Sequence, residues 1–134
     1  ELPNGLAFSP DEKTLYVDNS GSGDVYAFDV NDSGLIENKR LFANVADLDG
    51  RGGDGMKVDV DGNVFVTGPE GISVFDPSGV RIGIIVCPEK PANLAWGDND
   101  YKSMYITART SVYRIGVKIG GRSLIRDFTP TPVL

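Results

Sequence analysis

Short apolar runs alternate with turn residues along the whole chain, and one phrase recurs three times. PNGLAFSPDEKTLYVDN (3–19), GDGMKVDVDGNVFVTG (53–68) and PANLAWGDNDYKSMYITA (91–108) share it. Each has a short apolar run, a turn rich in Asp, Asn and Gly, and a second run centred on an aromatic: Tyr16, Phe65 and Tyr105. A third run follows each phrase: DVYAFDV (24–30), GISVFDP (71–77) and SVYRIGV (111–117). A fourth follows that: RLFANV (40–45), RIGIIV (81–86) and the weaker SLIRDF (123–128). The runs are short, β-branched and aromatic, so they predict strands in four-stranded antiparallel units. No segment keeps a 3.6-residue period for more than a few residues, which predicts little or no helix.

Four strands per unit, at a repeat of roughly 40 to 50 residues, is the pattern of β-propeller blades. A β-sandwich need not repeat one four-strand phrase three times. The fold class expected is therefore all-β, with about three blades in one partial propeller domain over residues 1–134. The blades are expected at 3–46, 53–87 and 91–128, with 129–134, which holds two prolines, as a loose tail. Propellers typically close with about four to eight blades, and an arc of three leaves apolar faces and strand edges uncovered. The chain is expected to be half of a larger ring, with the rest supplied by another chain or by a removed segment. A start at Glu1 rather than Met agrees with a processed chain or a fragment.

Composition narrows the chemistry. The chain has 134 residues and is 40% hydrophobic and 24% charged, as expected of an ordinary soluble globular protein. A net charge of -6, without a Lys/Arg cluster, argues against nucleic acid or an anionic membrane as partner. No apolar stretch approaches the roughly 20 residues that span a bilayer. The expected home is a soluble compartment, cytoplasmic or periplasmic. There is no histidine, so no Ser-His-Asp or Cys-His mechanism can be built from this chain. The single cysteine, Cys87, excludes an internal disulfide and a thiolate metal site. It ends the apolar run IGIIVC and is expected to be buried and inert. What remains is carboxylates, amides, hydroxyls, Lys/Arg, or a hard metal ion.

Alignment of the repeats on the first-strand apolar residues Leu6, Met56 and Leu94 places Asn4, Asp54 and Ala92 two positions earlier. Equivalent positions in successive blades face the same point on the ring axis. Two blades thus offer an oxygen-bearing side chain there, and the third a methyl. Hard cations such as Ca²⁺ or Mg²⁺ take carboxylate and amide oxygens plus water. The plainer reading, that Asn4 and Asp54 are turn formers each followed by Gly, stays open on the repeat alone. DVDGN (59–63) imitates the start of an EF-hand loop, but Val64 stands where that loop needs Gly. It is expected to be a tight turn, with Gly62 at positive φ. The turns after the second strands should lie on the same side as Asn4 and Asp54. They bring Asp18, Asn19 and Ser20, then Gly68 to Glu70, then Arg109 and Thr110. Asn19 and Arg109 are the substrate-binding candidates among them. Asn93 is expected to serve a turn, and Trp96 to pack inside its blade.

PNGLAFSPDEKTLYV, DGMKVDVDGNVFVTGPEGISVFDPSG and PANLAWGDNDYKSMYITARTSVYRI together resemble the senescence marker protein (regucalcin)/gluconolactonase/luciferin-regenerating enzyme-like family, over about residues 2–117. The resemblance implies a six-bladed propeller with a divalent metal in its central channel, Ca²⁺ foremost and Mg²⁺, Mn²⁺ or Zn²⁺ as alternatives. It implies hydrolysis of small-molecule sugar lactones, with this chain as the C-terminal half, blades four to six. It gives Asn4 and Asp54 as metal ligands, with Asp54 also the general base. The family's third ligand, a Glu from an N-terminal blade, has no counterpart; Glu1 is not a match. Gly53 stands where the family usually has Pro, which loosens the loop. Two other readings are a non-catalytic half-propeller scaffold and a related metal-dependent esterase or phosphotriesterase.

Overall fold

A computed structural model describes residues 2–122. Three antiparallel sheets follow one another along the chain. The first holds β1 (Pro3–Phe8), β2 (Thr14–Asn19), β3 (Asp24–Val30) and β4 (Ile36–Asn44) in that spatial order. The second holds β5 (Met56–Val58), β6 (Val64–Gly68), β7 (Gly71–Phe75) and β8 (Arg81–Ile85). The third holds β9 (Pro91–Gly97), β10 (Ser103–Ala108) and β11 (Val112–Gly116). The molecule is a partial β-propeller without helices among the described residues. The weak run at 123–128 and the tail 129–134 lie outside the described residues, as does Glu1. No described helix is long and apolar enough to cross a membrane.

The hairpins have a common chemical cause. Asp11, Asp59, Asp76 and Asp100 each accept backbone N–H bonds from residues two or four positions on, at 2.8 to 3.1 Å. Such bonds close the chain on itself where it must reverse. DVDGN is one of these turns, and Gly62 takes φ 87°. The EF-hand imitation is therefore a β-turn in the structure.

The sheets stack face to face. Between the first and second lie Tyr16, Val25, Ala27, Met56, Val66 and Phe75. Between the second and third lie Phe65, Ile72, Leu94, Met104 and Ile106. Trp96 meets Phe65 edge-on, with ring centroids 5.2 Å apart, so it packs between the second and third sheets rather than inside its own. Cys87 is only half-buried, against the second of these clusters; burial raises its thiol pKa. Leu6 departs from the sequence alignment. Met56 and Leu94 are buried, but Leu6 is 59% exposed. Its face of the first sheet has no sheet against it among the described residues, and Phe8 on the same strand is 46% exposed.

Candidate functional site

Asn4 lies on β1 and Asp54 in the linker that leads into β5. The structure brings them together across the first two sheets: the Asn4 amide Nδ2 donates to Asp54 Oδ1 at 3.2 Å. The same amide donates to Ser20 Oγ at 3.1 Å, and Ser20 Oγ donates to the Gly53 carbonyl at 2.7 Å. These residues line a cavity of about 230 Å³ together with Arg51, Thr67 and Lys90. Arg51 and Lys90 escaped the sequence analysis. They sit in the linkers between blades, which carry no periodic signal, and only the return of each linker to the ring centre brings them to the cavity.

The third repeat contributes differently. Ala92 brings no side-chain donor, but its carbonyl accepts the Gly55 N–H at 2.7 Å and the Thr67 hydroxyl at 3.1 Å. Thr67 Oγ1 also lies 3.0 Å from the Gly55 carbonyl, so its one hydroxyl proton is shared between the two carbonyls. One buried hydroxyl thus ties the second sheet to the third. Asn93 lies within β9 rather than in a turn. Its Oδ1 accepts from Leu94 N and, at 3.4 Å, from the Lys57 ammonium.

Asp18 occupies in the first sheet the register position of Thr67. Asp18 pairs with Val25 as Thr67 pairs with Ile72. It is fully buried. Its Oδ1 accepts the Gly5 N–H at 3.0 Å, while Oδ2 has no hydrogen-bond partner among the described residues. Burial first, and the neighbouring Asp54 charge after it, push its pKa up to about 7, against the opposing Gly5 bond. Two glycines make room for it. A Cβ on Gly53 would stand 3.0 Å from Asp18 Cγ, and Gly53 takes φ 80°, a region closed to proline. A Cβ on Gly5 would stand 2.7 Å from Asp18 Oδ2 and 2.1 Å from the Asp54 carbonyl oxygen.

Gly5→Ala must therefore push the Asp54 loop away from β1, because a backbone carbonyl cannot rotate aside as a side chain can. A destabilisation of about 1–3 kcal/mol is expected from overpacking, read as a lower urea midpoint with unchanged slope. An unaltered midpoint would show that the loop is free to move and that Asp54 is not fixed by it.

The remaining candidates lie elsewhere. Asn19 is buried, and its Oδ1 accepts the Leu2 and Gly21 N–H groups at 2.9 and 3.0 Å. That carboxamide holds the turn and does not line the cavity. Arg109 is exposed and also stands off the cavity. Asn4 and Asp54 fit a hard divalent cation by the chemistry of their donors, one amide and one carboxylate from adjacent blades. No three acidic, Cys or His side chains cluster for a metal among the described residues, and two donors alone do not fill the coordination shell of such an ion.

A family model described as the SMP-30/Gluconolactonase/LRE-like region matches residues 1–110. A gluconolactonase of Zymomonas mobilis is 36% identical over 128 residues, which are 89% of this chain and 36% of that protein. Bovine (Bos taurus) regucalcin is 34% identical over 112 residues, covering 80% of this chain and 37% of its own length. Among solved structures, a gluconolactonase from Xanthomonas campestris superposes with a TM-score of 0.77 at 35% identity, over 87% of this chain and 38% of its own. The chain spans little more than a third of the length of these relatives.

Proposed function

Because the chain belongs to the SMP-30/gluconolactonase/LRE-like family, we propose that it is part of a divalent-metal-dependent hydrolase of sugar lactones and holds a share of the central metal site. The relatives named gluconolactonase, lactonohydrolase and pentonolactonase support the reaction class. One observation carries the reading: the Asn4 carboxamide and the Asp54 carboxylate converge 3.2 Å apart at one cavity, from two successive blades. A pair of plain turn formers would have no reason to meet.

A bound divalent cation, Ca²⁺ first among those expected, would supply a Lewis acid for the lactone carbonyl and its developing oxyanion. Asn4 and Asp54 would hold it through their oxygens. For that the Asn4 carboxamide has to turn its oxygen, in place of the amide nitrogen, toward Asp54. Asp54 also takes a proton from the attacking water as general base. The Arg51 and Lys90 side chains on the cavity wall favour the carboxylate product and the hydroxyl-rich substrate. The rest of the ring would contribute the further ligands and close the channel against bulk water.

Calcium titration of the assembled protein by calorimetry, beside δ-gluconolactone turnover with and without chelator, tests this. Asn4→Ala is expected to weaken calcium binding at least tenfold and to leave proton transfer at Asp54 less affected. A titration identical to that of the unaltered protein would remove Asn4 from the site. Turnover indifferent to chelator would remove the metal from the reaction.

A further inference from the structure

The position shared by Asn4, Asp54 and Ala92 falls where the first strand of each repeat leaves its ladder. In the first sheet Pro3 pairs with Asn19 and Leu6 with Val17, so Asn4 and Gly5 together face Asp18. In the third, Pro91 pairs with Ala108 and Asn93 with Thr107, which leaves Ala92 as the extra residue. Both are β-bulges, and a bulge re-aims the side chain it carries. In the second sheet the ladder begins at Met56, opposite Val66, and Asp54 stands just before it. The effect shows at Asn4. Leu6, two residues on, lies open on the face away from the second sheet, whereas the Asn4 amide reaches Asp54.

Backbone that leaves its ladder needs other partners. One register position on the second strand supplies them in all three sheets. Asp18, Thr67 and Thr107 stand there, opposite Val25, Ile72 and Val112. Each bonds the backbone of the residue that follows Asn4, Asp54 or Ala92. Asp18 Oδ1 accepts the Gly5 N–H at 3.0 Å, the Thr67 hydroxyl meets the Gly55 carbonyl at 3.0 Å, and the Thr107 hydroxyl donates to the Asn93 carbonyl at 3.3 Å. We propose that Asp18 and Thr67 are positioning residues, which fix the backbone beside Asn4 and Asp54 and so aim both side chains into the cavity. Thr67 is fully buried. Its one proton is committed to the Gly55 and Ala92 carbonyls, so it acts through the backbone and not on a ligand. Gly55 is held on both sides: its N–H donates to the Ala92 carbonyl at 2.7 Å, and its carbonyl also accepts the Thr67 N–H at 2.9 Å. The consequence for calcium and lactone rests on the functional reading above; the aim of the two side chains does not.

Thr67→Val keeps the volume and removes the hydroxyl, while a backbone N–H still serves each of the two carbonyls. Loss of a group that orients a ligand from behind costs about 10- to 100-fold. Calcium affinity and kcat for δ-gluconolactone in the assembled protein are each expected to fall at least tenfold, and Thr67→Ser should restore both. Thr107→Val removes the same bond beside Ala92, which offers no side-chain oxygen, and is expected to change neither. In the metal-free protein, amide exchange at Gly55 should quicken at least tenfold in Thr67→Val. Exchange at Gly5 should do the same in Asp18→Leu but not in Asp18→Asn, which keeps an acceptor. Exchange at Tyr16 and Val66, in β2 and β6, should hold, which separates local release from unfolding. The positioning is overturned by Thr67→Val with unchanged calcium affinity and turnover, by Thr67→Ser or Thr107→Val as impaired as Thr67→Val, or by unmoved Gly5 and Gly55 amides. An unaltered protein that neither takes up calcium nor hydrolyses lactone overturns the functional reading alone, and the two glycine amides then decide the positioning.

Discussion

Asp54→Ala in the assembled ring is expected to lower kcat/KM for δ-gluconolactone by about a thousandfold and to weaken calcium binding sharply as well. Two roles fall on one carboxylate. Removal of a positioned general base alone costs about 10² to 10⁴ in rate, and loss of a charged ligand reduces the hold on the cation that polarises the carbonyl. The fold should survive. Asp54 lies in a linker rather than a strand, and its carboxylate makes a single partly solvated bond, to Asn4. The packing against Gly5 comes from its backbone carbonyl, which the substitution keeps. Asp54→Asn separates the roles: an amide oxygen still binds a hard cation, but the base is gone. Its calcium affinity should fall less than that of the alanine variant, while its turnover falls nearly as far. Normal turnover in the alanine variant would show that the proton goes elsewhere.

The strands were legible because each alternates apolar and polar residues between Asp-rich turns, and those turns close as side-chain chemistry requires. The recurrence of Tyr16, Phe65 and Tyr105 marked three repeats, and the structure shows why two of them recur: Tyr16 and Phe65 each stand on the face packed against the following sheet. Asn4 and Asp54 were legible as a pair because equivalent repeat positions share an orientation toward the axis. Leu6 misled the alignment, since its register is right but no described sheet covers it. Asn19 misled in another way. A polar residue before a turn reads equally well as a ligand for substrate or for the backbone, and here the Leu2 and Gly21 amides take it. Arg51 and Lys90 left no mark in any period. Asp18 was hidden by its neighbours: VDNS reads as the exposed start of a turn, whereas pairing with Val25 draws the acid into the junction between blades.

That buried acid sets the other large effect. In the metal-free protein, Asp18→Asn is expected to leave stability near pH 4 almost unchanged and to raise it at pH 8 by as much as about 4 kcal/mol. The folded-state pKa of Asp18 is raised to about 7 from an ordinary 3.8. Between those values the folded chain binds a proton that the unfolded chain has released, so stability falls as pH rises through that window. Below it both states are protonated and the full stability is present; above it the folded state carries a charge that burial and Asp54 both oppose. Each pKa unit corresponds to 1.36 kcal/mol, which gives the upper figure. Asparagine imitates the neutral acid, keeps an oxygen for the Gly5 N–H, and cannot ionise. Urea midpoints at pH 4 and pH 8, compared between the two proteins, read the effect directly. Parallel pH profiles would mean that water reaches Asp18 and that its charge is solvated. A profile that is flat in the variant and falling in the unaltered chain would identify the junction between the first two blades as its pH-sensitive seam. That seam also positions Asp54: the glycine that donates to Asp18 packs against the Asp54 carbonyl.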